Sequence, residues 1–256
     1  MSNTLSKNLE KTIKSLNSKK GRTKSGLFLA EGSKLIADML RAEHYALFKL
    51  VTTKELSPLF DVPEEKLILG TADDIKKVSL QKSPQSALAL FHFPEQSLES
   101  NLDLDGLTIC LDGLQDPGNL GTIVRTCSWY SIKNIVCSVD TADIYNPKAI
   151  QASMGGLCNV NVYYTDLLGF IDKCKNLGVH VATTQMQGQD LHKTKVPESL
   201  ILILGNEGKG VSEALSKAAS SKLAILPFHK GVGAESLNVS IANAIFCHEY
   251  RRQHHN

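Results

Sequence analysis

Leu5, Leu9, Ile13 and Leu16 recur every three or four positions near the start of the chain, with lysines between them. That spacing predicts an amphipathic helix whose lysines face solvent, ended by the glycine-containing run KKGRTKSG. GLFLAEGSKLIADML then reads as a short strand followed by a helix. Further strands are predicted at about 45–52, 66–69 and 87–93, with a helix over 72–79. Together these make a small α/β unit. The polar, proline-opened stretch FPEQSLESNLDLDG reads as a linker. Beyond it the apolar runs LTICL, NIVCSV, HVATT, LILILG and LAILPF alternate with helical segments, as in βαβ units around a mainly parallel sheet. The expected fold is therefore α/β throughout, in two domains (1–97 and 107–256) joined by a linker at 98–106.

A length of 256 residues, 42% of them hydrophobic, suffices for such cores. No run approaches the roughly 18 apolar residues of a membrane span, and MSNTLSKNLEKTIKS lacks the apolar stretch of a signal peptide. The expectation is a cytoplasmic protein with no membrane partner. The six cysteines form no CxxC pair and sit mostly in apolar runs such as TIC and IVC. They read as reduced core thiols, with no metal site. Net charge is only +2, yet residues 1–24 hold seven basic side chains against Glu10, a local +6 that leaves −4 for the rest. Such an arm suits a polyanion whose counterions it would release, and a solvated helix face would look the same.

Three segments carry candidate chemistry, each where a strand gives way to a loop, the edge at which doubly wound sheets bind ligands. In LDGLQDPGNLGTIVRTCSWY, the turn formers Asp116 to Asn119 precede a helix predicted over 120–130, and Asp116 or Asn119 could cap it. Arg125 falls among Ile123, Val124 and Cys127, where a guanidinium needs a partner: a ligand's phosphate or carboxylate, or an internal salt bridge. LILILGNEGKGVS matches neither GxGxxG nor a phosphate-binding P-loop. It leaves a strand end open to a ligand at bare backbone, with Glu207 in the turn, or a simple connecting turn. In PFHKGVGAESLNVSIANAIF, Pro227 ends a strand, Gly231 and Gly233 permit tight backbone, and Ser236 or Asn238 caps a helix over 239–250. Capping accounts for one polar residue there, not for Glu235, Ser236 and Asn238 together.

In this order, DPGNLGTIVRT, LGNEGKGVS and LPF followed by ESLNVSIANA resemble the motifs of the SpoU (TrmH-like) family of RNA ribose 2′-O-methyltransferases, in the SPOUT superfamily. The resemblance covers Leu107 to Arg252 and includes YNPKAIQASMGG as the linking segment. More loosely, KSLNSKKGRTKSGLFLAEGSKLIADML is similar to the ribosomal-protein-like substrate-binding domain that many members carry first. The resemblance implies an RNA-binding N-terminal domain followed by a SPOUT-type catalytic domain with a C-terminal trefoil knot. General topology rules would not suggest a knot. It implies S-adenosylmethionine-dependent methylation of a ribose 2′-OH in structured RNA, ribosomal RNA ahead of transfer RNA, by a homodimer. The competing reading, a non-catalytic RNA-binding protein on the same body, leaves the retained motif residues without a use. Carried over by position, Arg125, Asn119, Glu207, Ser236 and Asn238 form the catalytic set, and Gly205, Leu226, Leu237 and Thr183 the cofactor pocket. Lys19, Lys20, Arg22 and Lys24 become phosphate contacts, which position RNA without reading its sequence. The chain departs from the family pattern at Gln151, where many members have a basic residue, and at Trp129-Tyr130-Ser131, where an aromatic-glycine pair is usual.

Overall fold

The computed structural model describes residues 5–42, 44–95, 98, 102–229 and 234–254. In chain order the first elements are α1 (Lys7–Ser15), α2 (Lys19–Ser25), β1 (Leu27–Glu31), α3 (Ser33–Arg41), β2 (Leu47–Thr52), β3 (Leu67–Leu69), α4 (Ala72–Val78) and β4 (Ala87–His92). Then come β5 (Leu107–Leu111), α5 (Pro117–Trp129), β6 (Asn134–Ser138), α6 (Pro147–Ser153), β7 (Asn161–Thr165) and α7 (Leu167–Asn176). The last are β8 (His180–Asp190), β9 (Leu200–Leu204), α8 (Glu213–Ala218), β10 (Ser221–Ala224) and α9 (Val239–His254). The chain divides into two compact units, Met1–Glu95 with Asp143–Cys158, and Gln96–Ala142 with Asn159–Asn256.

The first unit is built on a sheet of order β1-β4-β2-β3, antiparallel except between β2 and β3. The predicted stripe of α1 does its work here: Ile13 and Leu16 are buried against Leu27, Leu29, Val51, Leu88 and Leu90, so the basic segment is part of the core rather than a free arm. KKGRTKSG does not break the helical path as expected. Ser18 caps a second helix by accepting from the Gly21 amide at 3.0 Å. Gly21 is there for closeness, since a Cβ on it would lie 2.0 Å from the Ser15 carbonyl oxygen.

Arg22 requires a correction. It is 2% exposed, not a phosphate contact on the surface. Its Nε and Nη2 donate to Asp143 Oδ2 at 2.9 and 2.6 Å, and its Nη1 donates to the Leu16 carbonyl at 2.7 Å. A buried guanidinium must be satisfied in this way. Lys19, Lys20 and Lys24 stay exposed. Gln151, on α6, spends its side-chain carbonyl on Gln81, whose Nε2 donates at 2.8 Å.

The second unit is a six-stranded, wholly parallel sheet of order β10-β8-β9-β5-β6-β7. LTICL, NIVCS and LILIL are buried along their whole length, as strands covered on both faces should be. The edge strand NVYYT was not expected from the pattern, because only part of it is buried. All six cysteines are free and five are buried, with burial pushing the Cys110 thiol well up. Within α9, buried Glu249 accepts from Arg252, which lowers the pKa of its carboxyl to about 2. Arg251 ties α9 to the end of α5 by donating to the carbonyls of Tyr130 at 2.6 Å and Ser131 at 2.9 Å. Ser131 takes φ 54°, so it occupies the left-handed conformation that a glycine adopts more freely.

The order of this sheet reverses beside β5: the chain leaves β5 for β6 on one side, while β9 lies on the other. Crevices for ligands open at such switch points, beyond the carboxyl ends of the strands. Replacing Arg22 by Ala strands Asp143 and should destabilise the first unit by about 3–5 kcal/mol, the usual cost of breaking a buried pair. Lys24→Ala should change it by less than about 0.5 kcal/mol. Urea unfolding of the two variants measures both, and equal small effects would remove the structural role of Arg22.

Candidate active site

Beyond β5 the chain turns at Gly113, φ +67°. Asp116 then caps α5 by accepting from the Asn119 amide at 2.9 Å, with Pro117 in the first helical position. Asn119 is thereby fixed in the first turn of α5. Beyond β9, Asn206 and Gly210 exchange two backbone hydrogen bonds, 3.0 and 2.8 Å, and Asn206 Oδ1 accepts from the Gly208 and Lys209 amides. That fold-back requires Gly205. A Cβ on Gly205 would lie 2.1 Å from the Gly210 carbonyl carbon and the Val211 nitrogen. On this side the bare backbone at Gly205 admits the chain's own loop. Asn206 Nδ2 donates to the Gly113 carbonyl at 2.7 Å and joins the two loops.

Glu207 is aimed by this turn. Its Oε1 accepts from Asn119 Nδ2 at 3.2 Å and its Oε2 from the Gln115 amide at 3.4 Å. The third segment enters through Asn238, whose Oδ1 accepts from the Ser240 amide at 2.9 Å at the start of α9, and whose Nδ2 donates to Asn119 Oδ1 at 3.0 Å. The direction of the chain follows from its ends. A carboxylate only accepts, so the Asn119 NH₂ must face Glu207; the Asn119 oxygen then faces a donor, which leaves Asn238 Oδ1 for the helix. One amide thus joins all three segments.

Arg125 corrects the expectation of a guanidinium packed among apolar neighbours. Ile123, Val124 and Cys127 are buried, but Arg125 itself is exposed. It has no hydrogen-bond or ion-pair partner among the described residues. It lies six residues beyond Asn119, roughly 9 Å along the axis of α5. Ser236 and Glu235 are exposed, and Ser236 has no hydrogen bond to any described residue. Asn238, not Ser236, is the cap. Gly231 and Gly233 lie outside the described residues.

Of the residues expected around S-adenosylmethionine, strand register relates Thr183, Gly205 and Leu226. Thr183 pairs across β8 with Ile203 of β9 and with Lys222 of β10. Gly205 and Leu226 follow those partners at the carboxyl edge of the same three strands, and Leu237 directly precedes Asn238. Thr183 is fully buried, and its Oγ1 finds no hydrogen-bond partner among the described residues. Leu226 and Leu237 are 41% and 48% exposed. An orphaned hydroxyl with half-open leucines fits a group that is both apolar-faced and rich in hydrogen-bonding atoms, as an adenosine is. Sequence reasoning missed Gln115 and Asn206, which support the site: Gln115 Nε2 also donates to the carbonyls of Gly113 and Asp140. Asn206 had a signal, an amide side chain ahead of turn glycines; exposed Gln115 had none.

Residues 106–248 match the family model of the SpoU rRNA Methylase family, and residues 8–89 match the MRM3-like substrate binding domain. The chain is 32% identical over 242 residues to the 23S rRNA (guanosine(2553)-2'-O)-methyltransferase RlmP of Bacillus subtilis, covering 94% of this chain and 95% of that one. A solved structure of a TrmH-family protein from Porphyromonas gingivalis superposes with a TM-score of 0.88 at 34% identity, over 97% of this chain and 99% of that one. The AdoMet-bound rRNA methyltransferase of Sinorhizobium meliloti superposes with a TM-score of 0.86 at 26% identity, over 97% and 96%. With a family model matched across more than half its length and a relative matched along nearly all of it, the chain belongs to the SpoU rRNA methylase family.

Proposed function

We propose that the protein uses S-adenosylmethionine to methylate a ribose 2′-hydroxyl of ribosomal RNA. The observation that carries this reading is the hydrogen-bonded series Glu207, Asn119, Asn238, which links the three motif loops at the switch point of a parallel sheet. Ribosomal RNA is favoured over transfer RNA because the Bacillus subtilis relative, named for 23S rRNA, matches both units of the chain. In this division of labour residues 1–97 bind RNA, 98–106 connect, and 107–256 catalyse. The C-terminal knot is part of the reading on the strength of family membership. No helix among the described residues is long and apolar enough to cross a membrane.

S-adenosylmethionine, when bound, would supply a sulfonium methyl to the ribose oxygen, leaving S-adenosylhomocysteine, and the hydroxyl proton would pass to water. Thr183, Leu226 and Leu237, with the Gly205 turn, hold the donor. A guanidinium is a poor base; that of Arg125, with no partner among the described residues, orients the nucleotide through its phosphate or hydroxyl oxygen. Ser236, whose hydroxyl has no partner among the described residues, hydrogen-bonds to the same nucleotide. Asn119, Glu207 and Asn238 keep the loops in register while the hydroxyl and methyl are aligned. Homodimerisation uses α9, whose Ile241 is 52% exposed.

Arg125→Ala should slow methyl transfer to RNA by about 100-fold or more, the scale of losing one aligned donor, and leave cofactor affinity by calorimetry within a few-fold. Equal loss of both would place Arg125 in the donor pocket. Failure of the unsubstituted protein to bind S-adenosylmethionine at millimolar concentration would favour the non-catalytic reading. Ile241→Glu should convert the dimer to monomer in sedimentation velocity; an unchanged sedimentation coefficient would move the interface elsewhere.

A further inference from the structure

The first unit presents an exposed aromatic pair that lies outside the three motif segments. Phe48 and His92 sit on neighbouring antiparallel strands, ring centroids 5.5 Å apart and planes at 87°. Phe48 is where the β2–β4 register shifts, between Leu47 and Lys49. A bulge of this kind re-aims a side chain, and Phe48 is 36% exposed in a strand whose last three residues are buried.

The location is informative. Side chains two apart along a strand share a face, so His92 continues the row Leu88, Leu90, which packs against Ile13 and Leu16 of the basic N-terminal segment. His92 pairs in register with Leu27, and the Phe93 amide donates to the Gly26 carbonyl at 3.1 Å. Exposed Lys24 is two residues before that glycine, in the last turn of α2. The two rings stand at one end of the two central strands of the sheet, and the segment paired with that end carries a lysine with no described partner. The apolar area, one phenyl ring, is small for a protein interface. With the planes at 87°, one ring presents its face while the other braces it edge-on, and a braced ring face near a cation matches a nucleobase and the phosphate that follows it.

We propose that Phe48 and His92 form a stacking platform for an unpaired base of the RNA substrate, with Lys24 on the adjoining phosphate. This rests on the reading of the protein as an RNA enzyme, and deepens it by placing a single-stranded nucleotide on the first unit.

The test uses the full chain and fluorescence anisotropy with two labelled probes, a short oligoadenylate and an RNA duplex of equal length. Phe48→Leu combined with His92→Ala should weaken oligoadenylate binding about tenfold and duplex binding less than about twofold, with the salt dependence unchanged. Phe48→Trp, which keeps a stacking face, should retain oligoadenylate binding. Lys24→Ala should weaken both probes and lower the salt slope by about one. No oligoadenylate binding by the unsubstituted protein, no effect of the double substitution, or equal loss on both probes would overturn the platform. So would a Phe48→Trp variant as weak as the double variant. Calorimetry with S-adenosylmethionine separates the two levels: selective loss of oligoadenylate without any cofactor binding would sink the enzyme reading and leave the platform standing.

Discussion

The amide of Asn119 is hydrogen-bonded on both sides, giving its NH₂ to Glu207 and its oxygen to Asn238. Because a carboxylate cannot donate, the pattern has one direction, and that direction leaves Asn238 free to cap α9. The start of the last helix, the turn after β9 and the start of α5 are therefore interdependent. Each hydrogen bond contributes about 1 kcal/mol net to stability. Their larger effect is geometric, since transfer between two aligned groups falls steeply when loops shift by an ångström.

That interdependence rests on local chemistry fixed earlier in the chain. Asp116 and Pro117 start α5 so that Asn119 lands in its first turn. Gly205 lets the Asn206–Gly210 turn close against its own backbone and set Glu207 outward. Asn206 and Gln115 stitch the two loops through the Gly113 carbonyl. Arg125 stands outside this web, with no ion-pair partner among the described residues. Arg22, by contrast, is spent entirely on Asp143 and Leu16, inside the first unit.

Much of this was legible in the residues. The stripe Leu5, Leu9, Ile13, Leu16 located α1, and fully apolar runs marked the strands of the parallel sheet. The family motifs brought together Asn119, Glu207 and Asn238, which no spacing rule would have joined across 119 residues. Other features were hidden for physical reasons. Gly21 looked like a helix breaker because closeness to Ser15 is a tertiary fact. Arg22 resembled its neighbouring lysines because its partner is 121 residues away. Arg125 looked buried from its sequence neighbours, although 100° per residue turns it away from Val124. Phe48 was invisible because a bulge breaks the alternation from which facing is read.

The dependence of catalysis on the Asn119 amide is tested most directly by Asn119→Asp, which sets a carboxylate against Glu207 while preserving size and the helix-starting backbone. Single-turnover transfer of labelled methyl from S-adenosylmethionine to ribosomal RNA is the measurement. The account predicts a loss of about 100-fold or more in a protein that still unfolds cooperatively. A rate equal to that of the unsubstituted enzyme would contradict it.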